Sequence, residues 1–118
     1  MILVDTSIWI DHFNKSDADL VKLLNSAKVC IHPFIIGELS CGNISNRQEI
    51  LNLLKALPQV ESVLDEEVFI LIENKKLYGI GLGFIDAHLL ASALINDVTI
   101  WTRDKKLKKA AINLDIHI

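Results

Sequence analysis

The sequence predicts an α/β fold built on a mostly parallel sheet, and three observations carry that prediction. Short apolar runs at Met1–Asp5, Lys28–His32 and Val98–Trp101 alternate with longer stretches of helical periodicity. Only 6% of residues are aromatic in a chain that is 51% hydrophobic, so aliphatic side chains dominate, as suits buried strands covered by helices. Asp5 closes the first apolar run and Asp104 follows Thr102, which puts acids at the carboxyl ends of strands, where open α/β sheets bind ligands.

Met1–Asp5 (MILVD) reads as a buried opening strand, and Asp5-Thr6-Ser7 offers an N-cap for a helix from Ile8 to about Phe13. Ser16 and Asp19 have the spacing of a capping box for a second helix, with Leu20, Leu23 and Leu24 facing inward. Lys28–His32 forms the next strand, and Pro33 opens a helix carrying Phe34, Ile35, Leu39 and Cys41. Asn46 with Glu49 offers another capping box for a helix over Arg47–Leu57, which Pro58 closes. Val60–Leu64 reads as a weak third strand.

Asp65-Glu66-Glu67 starts a helix that ends near Lys75-Lys76. Acids first and bases last is the order the helix dipole favours, so these charges are assigned no chemistry. Tyr78–Gly83 is a glycine-rich turn, and without a strand before it its glycines make no dinucleotide fingerprint. The next helix begins near Phe84 and puts Asp86, Leu90, Ala93 and Asp97 on one stripe. Leu89, Leu94 and Ile95 widen its apolar surface, so it is expected to be buried nearly all round. After the Val98–Trp101 strand, Asp104 caps a lysine-rich helix over Lys105–Ala110, and Asp115–Ile118 is a last edge strand.

At 118 residues the chain is expected to form one domain, 1–118, with a real core. The Ile80–Asn96 run is too short for a membrane span and holds Asp86. The amino-terminal run has no basic region ahead of it and is not read as a signal peptide. Cys30 and Cys41 fit no zinc or disulfide spacing and are expected as core-filling thiols in a reducing cytoplasm. A net charge of −3 argues against a protein that coats nucleic acid, but not against an enzyme whose metal-binding acids lower the count.

Three acids share one peculiarity. Asp5 is the only charge among the first ten residues, Glu38 the only formal charge from Val29 to Asn46, and Asp86 the only charge from Ile80 to Asn96. A carboxylate in such surroundings costs several kcal/mol unless a cation or hydrogen-bond donors compensate it. Asp104 joins them by its place after a strand. Four converging carboxylates with no His or Cys set point to Mg²⁺ or Mn²⁺, the equipment of phosphodiester hydrolysis. Thr6, Ser7 and Thr102 flank the acids and are expected to orient them. Arg103 and Lys105, nearest Asp104, are candidates for phosphate contact, while the rest of that basic run reads as a solvated face. His88 lies roughly opposite Asp86 and is assigned to core or surface. His12 is expected at the site's edge at most, and Trp9 and Trp101 in the core.

MILVDTSIWI, the lone Glu38, FIDAHLLASAL and IWTRDKKL together resemble a PIN domain, and more closely the VapC toxin ribonucleases of bacterial toxin–antitoxin pairs. The resemblance spans essentially the whole chain. It implies a three-layer α/β/α sandwich with a central mostly parallel sheet, and Mg²⁺- or Mn²⁺-dependent cleavage of RNA. The family's four acids match Asp5, Glu38, Asp86 and Asp104, with Asp5 and Asp86 carried over first as metal ligands and Thr102 matching a hydroxyl position. It further implies a homodimer and a VapB-type antitoxin partner. Leu107 departs from the family, which often has an aromatic there; that bears on packing of the last helix. Ser7 stands where a haloacid-dehalogenase phosphatase needs its second Asp, and a receiver domain would need adjacent early acids. The remaining alternative is a non-catalytic PIN-like scaffold that binds RNA or protein.

Overall fold

β-Branched Val, Ile and Thr side chains favour extended backbone, and three short runs that contain them pair side by side. The computed structural model describes residues 1–118. Its elements are β1 (Ile2–Val4), α1 (Thr6–Asn14), α2 (Ala18–Asn25), β2 (Val29–Cys30), α3 (Pro33–Ser40), α4 (Arg47–Lys55), α5 (Asp65–Lys75), α6 (Phe84–Asn96), β3 (Thr99–Trp101) and α7 (Lys105–Asn113). The strands form a parallel sheet in the order β2-β1-β3. Leu3 lies opposite Cys30 on one side and Ile100 on the other, and Val4 opposite Trp101. Single parallel bridges extend the sheet outward, Gln59 beside Ile31 and His117 beside Ile100. The central position of β1 explains why Leu3 and Val4 are fully buried.

Two expected strands therefore shrink to bridges. The Val60 amide does donate to the Ile31 carbonyl at 3.0 Å. One residue on, the Asn96 side chain takes both backbone groups of Glu61, at 3.2 and 3.1 Å, and draws the chain from the sheet toward the end of α6. Asp115–Ile118 likewise pairs with Ile100 alone.

The helices form where the periodicity put them; Asp5 caps α1 and Asp104 caps α7 as expected, and two other caps differ. Asp17, not Ser16, caps α2 by accepting the Leu20 amide at 3.0 Å. Asn46 is held at a left-handed φ of 53°, so its side chain makes no cap bond and the second capping box does not form. Helix α6 is buried only through Ala87–Ala93; Leu94 and Ile95 are exposed, so the expectation of burial all round fails at its end. Cys30 is buried as expected, whereas Cys41 is exposed beyond the end of α3. Leu107 is buried in the main core cluster, so the departure at this position is absorbed by packing.

Candidate active site

The end of β1 places Asp5 between α1 and β3. Its amide donates to the Trp101 carbonyl at 2.9 Å, and its carboxylate oxygen Oδ2 accepts the hydroxyls of Thr102 at 2.7 Å and Ser7 at 2.9 Å. Asp5 is buried, yet every direct side-chain donor to it is neutral. The same two hydroxyls then tie the neighbouring strand end: Ser7 Oγ accepts the Arg103 amide at 3.1 Å and Thr102 Oγ1 the Asp104 amide at 3.0 Å. Ser7 and Thr102, the residues expected to orient the acids, both donate to the Asp5 carboxylate.

Helix α3 brings Glu38 to the same edge, where the Thr6 hydroxyl donates to its Oε1 at 3.1 Å. In the first turn of α6 the Gly83 amide donates to Asp86 Oδ2 at 3.1 Å. Asp86 thus has a cap role that its apolar sequence context concealed. Asp104 caps α7, with Oδ1 accepting the Lys106 and Leu107 amides at 3.0 and 2.9 Å.

Electrostatics link the four. Burial pushes the Glu38 carboxyl above its ordinary value, the Thr6 hydrogen bond opposes this, and the charges of Asp5 and Asp86 add to it. Asp86 is likewise raised, first by burial and further by Asp104 and Asp5, against the bond from Gly83. None of the four takes part in an ion pair; the three pairs in the molecule lie elsewhere. The acids nevertheless stand apart, and no three carboxylate, imidazole or thiol groups converge closely enough to form a ready-made cage. The all-oxygen donor set suits a hard divalent cation, and Mg²⁺ commonly needs only one or two carboxylates, completing its shell with water and substrate phosphate. The donor chemistry fits such an ion at an open site.

The remaining candidates are engaged elsewhere or exposed. Arg103 is not free for phosphate: its Nη1 holds Asp11 at 2.7 Å, its Nη2 holds Asp17 at 2.6 Å, and the guanidinium stands 5.7 Å from the centre of the Trp101 ring. Asp11 and Asp17 reach it from α1 and the α2 cap, contacts that no local spacing announces. Lys105 is exposed and in no ion pair. His12 is not at the acidic edge; its Nδ1 accepts the Asp17 amide at 3.0 Å and braces the turn into α2. His88 is buried and its Nε2 meets Asp65 at 2.8 Å, in keeping with a core assignment. Trp9 is buried, its indole donating to the Val4 carbonyl at 3.2 Å, while Trp101 is half-buried under Arg103.

The chain as a whole matches a known family. The model of the PIN domain fits residues 2–113, and the chain belongs to the PIN-domain family. It is 48% identical over 111 residues to Ribonuclease VapC32 of Mycobacterium tuberculosis, covering 93% of this chain and 90% of that protein. Ribonuclease VapC1 of Methanocaldococcus jannaschii is 30% identical over 110 residues, covering 89% of this chain and 76% of its own. The crystal structure of PAE2754 from Pyrobaculum aerophilum superposes with a TM-score of 0.67 at 20% identity, over 92% of this chain and 83% of that one, a likeness of fold. No helix is long and apolar enough to cross a membrane.

Proposed function

We propose that this chain is a metal-dependent endoribonuclease of the VapC type, the toxin of a toxin–antitoxin pair. The observation that carries the reading is a set of four acids without a basic partner at one sheet edge, two of them with raised carboxyls. The 48% identity to Ribonuclease VapC32 supports it. Asp5 and Asp86 would hold Mg²⁺ or Mn²⁺, with Glu38 and Asp104 in support. When bound, the ion supplies help in activating water and neutralises charge on the phosphate. Thr102 and Ser7 fix the Asp5 carboxylate, Thr6 fixes Glu38, and the Gly83 amide fixes Asp86, so ligand positions are set before substrate arrives. The chain acts in the cytoplasm as one unit over 1–118, forms a homodimer and is silenced by a VapB-type antitoxin.

The open spacing of the acids is the one observation that favours a non-catalytic PIN-like scaffold instead. The test is cleavage of total bacterial RNA by the purified protein, with Mn²⁺ or Mg²⁺, with EDTA, and with Asp5→Asn. Discrete fragments that require both metal and Asp5 are expected. Intact RNA in every lane would leave the scaffold. Expression without a partner should arrest growth, and Asp5→Asn should relieve it; unaffected growth would count against the toxin role.

A further inference from the structure

Beside the acidic edge lies a cleft of about 640 Å³ lined by Lys75, Lys76, Lys105, Lys106 and Lys109, which are five of the chain's 12 Lys and Arg residues. They come from two distant stretches, the end of α5 and the first two turns of α7. None is in an ion pair. The dipole of α5 accounts for Lys75 in its last turn, but the same argument runs against Lys105 and Lys106, which sit at the positive end of α7 and cost stability there. The Lys106 side chain lies over the glycine turn before α6, its Nζ 2.5 Å from where a Cβ on Gly81 would stand, and the φ of +86° at Gly81 is one that favours glycine. An overall charge of −3 makes this local excess of positive charge the more pronounced.

We propose that this cleft is a backbone track for single-stranded RNA, holding the phosphates next to the one presented to the acids. The inference rests on the nuclease reading and specifies how that site takes its substrate. Continuity favours RNA over an acidic peptide: Lys105 and Lys106 follow Asp104 directly, and Gly81 lies two residues before Gly83, whose amide holds Asp86. A strand whose phosphodiester lies at the acids must run on past one of these edges, and this edge carries the counter-charge. Leu77 and Ile80 give the cleft an apolar floor against which ribose and base faces can rest.

The test is binding of a labelled single-stranded RNA to the full chain carrying Asp5→Asn, without divalent ion, across a range of salt. Lys75→Gln, Lys76→Asn and Lys109→Gln are added together, with Asn at 76 because that residue holds a left-handed φ of 54°. A second triple, Lys15→Gln, Lys28→Gln and Lys55→Gln, removes the same charge from exposed sites outside the cleft. The cleft triple should flatten the slope of log affinity against log salt by about 2 and weaken binding at least about tenfold near physiological salt; the second triple should change neither appreciably. Equal loss in both triples, an unchanged cleft triple, or cleft-dependent binding of an acidic peptide in preference to RNA would each overturn the proposal. If RNA binding survives the cleft triple while the unmutated chain still cuts RNA, only the track is lost. If the unmutated chain neither binds nor cuts RNA, the nuclease reading falls and takes the track with it.

Discussion

Two acidic groups of this molecule, one residue apart at the end of β3, have opposite electrostatics. Around Arg103, Asp11 and Asp17 meet one guanidinium at 2.7 and 2.6 Å, and the Asp17 carboxyl is held below its ordinary value, chiefly by that hydrogen bond. Asp5, Glu38, Asp86 and Asp104, by contrast, share no base, and burial with mutual repulsion raises Glu38 and Asp86. The first group is finished within the chain and reads as structure. The second has no counter-charge within the chain. A carboxylate is a candidate for function when nothing in the fold neutralises it.

The largest expected effect breaks the second group. Asp5→Asn should lower metal-dependent RNA cleavage by more than about a hundredfold. The melting temperature should change little, because Asn can still cap α1 and accept the Thr102 hydroxyl. Cleavage at the normal rate would remove Asp5 from the metal site.

The rule extends to a base without an acid. His32 is fully buried, accepts the Phe34 amide at 2.9 Å, leaves Nε2 unpartnered, and is lowered to about 4, first by burial and then by His88. Its neutral form is favoured in the fold, so its contribution is complete above 6.5 and is lost as pH falls toward about 4. Urea titrations should show a loss on the order of 2 kcal/mol across that window, with His32→Asn flattening the pH slope while keeping the cap. An unchanged slope in His32→Asn would assign the loss to other groups.

Breaking the first group is expected to be milder. Arg103→Ala should cost about 1 kcal/mol, read as a lower urea midpoint at unchanged m, since Arg103 and Asp11 are open to screening while Asp17, with 14% of its side chain exposed, is the more enclosed partner. KM for RNA should hold. A raised KM at unchanged stability would mean that Arg103 leaves its acids to meet substrate.

The smallest effect is a gain. Asp86→Asn removes a carboxyl whose raised value makes its ionised form costly in the metal-free fold. Stability from such a group is present at low pH and is lost as pH rises through the raised value. The metal-free melting temperature at neutral pH should therefore hold or rise by roughly a degree or two, with the gain vanishing as pH falls toward 3.8. A marked drop at neutral pH would make the Gly83 bond the dominant role of Asp86.

The acidic edge was legible because each of Asp5, Glu38 and Asp86 stands alone in an apolar run, and that isolation is visible in one dimension. The helices were legible from periodicity. The Arg103 knot was not, because its three members lie on separate segments and Arg103 sits in a basic run that reads as a surface patch. Strand extent was also hidden: whether Val60–Leu64 stays in the sheet is decided by Asn96, 35 residues away. Leu94 and Ile95 show the limit of hydropathy, since apolar residues near a helix end need not face the core.

The most direct measurement of the central claim is thermal melting of the metal-free protein as Mn²⁺ is added, for the unmutated chain, Asp5→Asn and Arg103→Ala. The acid set should bind the ion in the fold and not in the unfolded chain, raising the unmutated melting temperature by on the order of ten degrees at saturating Mn²⁺. Arg103→Ala should start lower and rise by the same increment, and Asp5→Asn should barely move. An unmutated protein whose melting temperature ignores Mn²⁺, or an Asp5→Asn protein that rises as far as its parent, would contradict the claim that these unpartnered acids await a cation.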